Sequence, residues 1–127
     1  MTAAAGGATA EYSSLVLPDR VHSRVFTDPS IFQQEMARIY HRSWVFVGHE
    51  SEVARAGDYV LKNIGRQPVI LSRDEHGKTN LLINRCRRRG ATVWQAEQGS
   101  STFFRCSYHG WTYRNEGQLI GVTYPDA

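Results

Sequence analysis

Asn84-Arg85-Cys86-Arg87-Arg88-Arg89-Gly90 is answered downstream by Arg105-Cys106-Ser107-Tyr108-His109-Gly110-Trp111-Thr112-Tyr113, and these two stretches decide how the chain is read. Together they hold both of its cysteines. The second reads Cys-x2-His inside a short loop, the first sets a cysteine just ahead of a glycine, and seventeen residues, 89 to 105, separate Arg88 from Cys106. Two loops of this kind can pinch one metal centre between them, because thiolate and imidazole are both metal donors. Gly90 and Gly110 let each loop turn sharply without a Cβ clash, so that backbone N–H groups can approach the sulfurs. Tyr108, Trp111 and Tyr113 are expected to wall such a site, with phenolic hydroxyls as donors to the ligands.

Outward from these loops, 127 residues suffice for one domain with its own core. Charged residues make up 21% and hydrophobic ones 41%, the balance of a globular protein rather than a disordered or fibrous one. No apolar run approaches the roughly 20 residues that span a bilayer, and the Ala/Gly-rich start lacks the features of a signal peptide. A cytoplasmic protein is expected, with neither membrane nor nucleic acid as a partner. The net charge is only +3, and the knot formed by Arg85, Arg87, Arg88 and Arg89 lacks the interleaved aromatics of a nucleic-acid surface. In a cytoplasmic chain two cysteines favour buried thiols or a metal over a disulfide.

Residues 1–14 are small and polar and predict a disordered tail. Residues 15–43 predict an extension carrying one helix, with Asp28 as N-cap, Pro29 in the first turn, and Ile31, Phe32, Met36, Ile39 and Tyr40 on one face up to about His41. From Trp44 to the end at residue 127 the pattern turns to strands. They are expected at Trp44-Val45-Phe46-Val47, Tyr59-Val60-Leu61, Val69-Ile70-Leu71, Leu81-Leu82-Ile83, Thr102-Phe103-Phe104-Arg105, Trp111-Thr112-Tyr113 and Gln118-Leu119-Ile120. Asp74-Glu75-His76-Gly77 and Asn115-Glu116-Gly117 supply hairpin turns. The fold class is mainly β, a small antiparallel sandwich or barrel with one N-terminal helix, and the cysteine loops lie between strands.

The run Cys106-Ser107-Tyr108-His109-Gly110-Trp111-Thr112-Tyr113, with Cys86 and Gly90 upstream, resembles a Rieske [2Fe-2S] domain. Ile31-Phe32-Gln33-Gln34-Glu35-Met36-Ala37-Arg38-Ile39-Tyr40, Trp44-Val45-Phe46-Val47-Gly48-His49-Glu50 and Ala56-Gly57-Asp58-Tyr59 are similar to the entry into the α subunits of Rieske ring-hydroxylating oxygenases. The resemblance spans residues 15 to 127. It implies an electron relay in which a ferredoxin or reductase reduces the [2Fe-2S] cluster, which then feeds a mononuclear iron in a separate C-terminal domain of an oligomeric oxygenase. The chain reads as the N-terminal piece of such a subunit, ending at Tyr124-Pro125-Asp126-Ala127 and not catalytic alone. Of the Asp-x2-His-x4-His spacing of the mononuclear site it offers only Asp19-Arg20-Val21-His22, with Thr27 at the second histidine's place.

The implied cluster ligands are Cys86, Cys106 and His109, and the place of the fourth, a histidine in the family, is taken by Arg88. Guanidinium stays protonated and has no lone pair for iron. The expectation is a labile or missing cluster. The alternative is a Rieske-fold module that holds zinc, or no metal, with a structural or partner-docking role. His41, His49 and His76 lack motif spacing and are expected to be structural. Without iron, Cys86 and Cys106 would lie close enough to oxidise to a disulfide.

Overall fold

The computed structural model describes residues 12–123 and divides into two compact units, with the boundary between Trp44 and Val45. In the first unit a short hairpin pairs β1 (Val16–Leu17) with β2 (Arg20–Val21) ahead of two helices, α1 (Arg24–Thr27) and α2 (Pro29–Glu35). The Asp28 side chain accepts from Ser30 N and Pro29 fills the first turn, so α2 starts where the sequence places it. The helix does not run on regularly to His41: Met36–Tyr40 is wound as a π-turn. Of its expected apolar face, Ile31 and Met36 are buried, whereas Phe32, Ile39 and Tyr40 are exposed. The expected tail at 1–14 lies outside the described residues except for 12–14, where a backbone bond from Leu15 N to Tyr12 O closes a turn. Residues 124–127 lie outside them as well.

The Asp28 cap carries a pH signature. Hydrogen bonds from the Ser30 hydroxyl and the Arg24 guanidinium hold its carboxyl down at about 2, below the ordinary value of about 4. A depressed carboxyl stabilises fully above its unfolded value, and that stabilisation is lost as pH falls through its folded value. The far-UV helical signal should therefore decline between about pH 4 and pH 2 in the parent, and less in Asp28→Asn, whose amide caps without titrating. Superimposable acid titrations of the two proteins would remove Asp28 from the account.

The second unit is built of two antiparallel sheets. One has the order β5-β4-β3-β6, from β3 (Asp58–Ile64), β4 (Gln67–Arg73), β5 (Thr79–Ile83) and β6 (Gln98–Ser100). The other runs β7-β8-β9, from β7 (Phe103–Arg105), β8 (Thr112–Arg114) and β9 (Leu119–Gly121). The β4–β5 turn is fixed by Asp74, whose carboxylate accepts from His76 N, Lys78 N and Asn80 Nδ2, each at 2.9 Å. Buried Ser72 on β4 donates to Asn115 O at 2.6 Å, which ties the first sheet to the β8–β9 turn.

One expected strand is absent. Trp44-Val45-Phe46-Val47 forms no ladder, and Trp44 and Phe46 are 103% and 85% exposed. An apolar run becomes a strand only where a neighbour satisfies its backbone, and this one straddles the boundary between the units.

Candidate metal centre

Both cysteine loops are connections in the β unit. Cys86 opens the long connection from β5 to β6, and Cys106 opens the tip of the β7–β8 hairpin. Their backbones repeat one turn. Cys86 N donates to Ala91 O at 2.7 Å and Gly90 N to Cys86 O at 2.9 Å; Cys106 N donates to Trp111 O and Gly110 N to Cys106 O, both at 2.8 Å. Each turn closes on a glycine at φ +75°, in the left-handed region that glycine enters without strain. At Gly110 the space is closed too, since a Cβ would stand 2.7 Å from Thr123 Oγ1. The sequence carries this repeat as Cys-x3-Gly at 86–90 and again at 106–110, a signal that reading for metal-ligand spacing passes over.

The turns bring the sulfurs into the core. Cys86 and Cys106 are 4% and 1% exposed and share one buried cluster with Tyr59, Ile70, Val93, Phe104 and Tyr113. The Tyr113 hydroxyl lies 3.4 Å from Cys86 Sγ and accepts from Arg87 N at 3.1 Å. Burial pushes the Cys86 thiol up, but hydrogen bonds from Tyr113, the Arg88 and Arg89 amides and Cys106 outweigh it and bring the thiol below its ordinary value. Tyr113 moves the other way, raised by burial and by its hydrogen bond with Cys86. These groups favour a negative sulfur at Cys86, the electrostatics a thiolate ligand needs.

His109 is placed differently. Its ring lies against that of Tyr108, with centroids 3.8 Å apart, and Thr123 donates to its carbonyl at 2.5 Å. Desolvation and the Arg88 and Arg89 charges hold the imidazole below its usual value, which keeps it neutral and able to offer a lone pair. Tyr108, expected in the wall, is 61% exposed and covers the histidine instead, because its place in the turn points it out of the core. Trp111 packs against the core cluster. Among the described residues, no three His, Cys, Asp or Glu side chains are gathered so that they could hold a metal ion. Arg88 is half-buried, and its Nη1 is fully buried with no hydrogen-bond partner.

Two features went unread in the sequence. Buried Asn84 accepts from Val93 N and Trp94 N at 3.1 and 2.9 Å and donates to Trp94 O at 2.8 Å, closing the whole Cys86 loop at its base. Phe104, on the strand leading to Cys106, is 1% exposed and packs edge-on against Tyr59 and Trp94. The remaining histidines have local roles. His49 caps the 3-10 turn Glu50–Val53 through Ser51, His22 accepts from Arg24 N, His76 lies in the β4–β5 turn, and His41 ends the π-turn.

Residues 43–127, which carry the two glycine-closed turns and their buried cysteines, match the Rieske [2Fe-2S] domain. The chain belongs to that family. It is 46% identical over 79% of its length to the N,N-dimethyl phenylurea N-demethylase subunit alpha of Sphingobium sp. (strain YBL2), covering 22% of that protein. It is 45% identical over 81% of its length to the 2-halobenzoate 1,2-dioxygenase large subunit of Burkholderia cepacia, again covering 22%. Naphthalene 1,2-dioxygenase from Rhodococcus sp. bound to indole superposes with a TM-score of 0.76 and 44% identity, over 84% of this chain and 24% of that one. The chain thus spans about a fifth to a quarter of the length of these relatives. Among the described residues, no helix is long and apolar enough to cross a membrane.

Proposed function

We propose that the chain serves as the Rieske domain of an aromatic ring-hydroxylating oxygenase α subunit. In that role it stands between a cytoplasmic ferredoxin or reductase and a mononuclear iron elsewhere in an oligomeric subunit. The observation that carries this reading is the pair of equivalent Cys-turn-Gly loops on a scaffold that matches the family over 43–127. The ligands assigned are Cys86, Cys106 and His109, with Gly90, Gly110, Tyr108, Trp111 and Tyr113 around them.

A Rieske [2Fe-2S] cluster takes two thiolates on one iron and two imidazoles on the other. The residues present do not complete that set. Arg88 stands at the fourth position, cationic and without a lone pair, and its buried, unpartnered Nη1 has hydrogens to give and nothing to accept them. Ferric iron would add a second positive charge beside it. The relay role depends on a donor that position 88 does not supply.

Anaerobic iron-sulfide reconstitution of the parent beside Arg88→His tests this. The variant should keep about two irons per chain through desalting, with the visible and electron-spin signature of the cluster, while the parent keeps fewer or loses them. Equal, stable uptake by both would overturn the assignment of position 88.

A further inference from the structure

Where iron is not held, two thiols remain within one buried cluster. Cys86 and Cys106 are the chain's two cysteines, both are free, and both are buried in one core cluster. Each is fixed by two backbone bonds within its turn, so the pair is held together by the scaffold rather than by a ligand. Each cysteine reaches a different cavity. Cys86 lines a cavity of about 620 Å³ walled by Leu82, Val93 and Phe104, with Arg85 and Arg87 also among its lining residues, and Cys106 lines a separate one of about 570 Å³ beside Arg105 and His109.

We propose that this pair is a dithiol that closes to a Cys86–Cys106 disulfide by exchange with an anionic low-molecular-weight disulfide of the glutathione type. The proposal rests on the reading that position 88 leaves the cluster unheld. Cys86 sulfur attacks one sulfur of the small disulfide; a Cys86–S bond forms, the small S–S bond breaks, and one thiol leaves with the Cys86 proton. Cys106 sulfur then attacks Cys86 Sγ and expels the second thiol, which takes the Cys106 proton. The protein loses two electrons and the small disulfide gains two, so no further oxidant is needed. Arg85 and Arg87 favour a reagent that carries carboxylates over a cationic one.

The test uses chain stripped by a chelator, assayed as iron-free, and incubated with glutathione disulfide. Thiols titrated after denaturation should fall from two per chain to none, with the intact mass lower by two hydrogens, and a dithiol reductant should restore both. Cationic cystamine should react more slowly. Cys106→Ser should stop at one glutathione adduct, located on Cys86; the parent's mass decides the outcome even if that variant misfolds. Two persisting thiols, a lasting adduct on the parent, or a disulfide between chains would each overturn the proposal. Iron uptake on separately reconstituted protein reports on position 88, so the two readings fail separately.

Discussion

Phe104→Ala is expected to lower the stability of the β unit by about 3–5 kcal/mol, the cost typical of emptying a fully buried aromatic site. Against a total of about 5–15 kcal/mol for a small domain, the variant would be marginally folded. The position is unusual in how much it joins. Phe104 lies opposite Tyr113 in the β7–β8 register, and its ring meets Tyr59 of β3 and Trp94 of the Cys86 loop, both at centroid distances of 5.4 Å. Tyr59 and Trp94 complete the group at 5.9 Å and 90°. Edge-to-face aromatic pairs add to what burial alone gives, and the two rings that remain, Tyr59 and Trp94, are stiff neighbours for the cavity left behind. Because the same cluster holds both cysteines, loosening it should also expose them to thiol reagents. Urea denaturation beside Phe103→Ala is the check, since Phe103 is 44% exposed on the same strand and its loss should cost under about 1 kcal/mol. Similar midpoints for the two variants would show that the three-ring group is not the keystone argued here.

The contrast between these neighbours also shows what the sequence could convey. Phe103-Phe104 reads as strand from composition alone, but which ring faces the core depends on register, and register is set by the hairpin that Cys106 to Gly110 closes. The β4–β5 hairpin was legible because Asp74 and Gly77 combine a carboxylate acceptor with a turn glycine between two apolar runs. The helix start was legible for the same kind of reason, Asp28 and Pro29 each having one local job. What stayed hidden depends on partners distant in the chain. Gln98–Ser100 has no strand composition, yet it pairs with Asp58, Tyr59 and Val60 because the β3 edge needs a neighbour. Trp44 to Val47 has the composition and no partner. At the site, the structure places Cys86 and Cys106 in one buried cluster, and among the described residues it gathers no three His, Cys, Asp or Glu side chains that could hold a metal ion. The exposure of Tyr108 and the orphaned Arg88 nitrogen follow from side-chain directions that no spacing encodes.

Asn84→Ala is expected to cost about 2–4 kcal/mol, a large effect for a residue that touches no ligand. The reason is an accounting of buried polar groups. One carboxamide oxygen satisfies Val93 N and Trp94 N, and its nitrogen satisfies Trp94 O, across a gap of about ten residues. Alanine removes all three bonds at once and leaves backbone groups that the surrounding core cannot satisfy; each buried orphan costs about 1–3 kcal/mol unless water reaches it. Asn84→Asp separates the components, because a carboxylate can still accept from both amides but cannot donate to the carbonyl, and it brings a charge into a site only 3% exposed. Its loss should fall near that of alanine rather than near the parent. The consequence reaches the sulfurs, because Asn84 stands two residues before Cys86 and its partners stand where the same loop returns to the core. With the base untied, the Cys86 turn should open more often, and labelling of its thiol under native conditions should quicken several-fold while Cys106, held in the separate β7–β8 hairpin, changes less. Unchanged labelling together with a stability loss below about 1 kcal/mol would mean that the turn holds itself and that Asn84 is incidental to it.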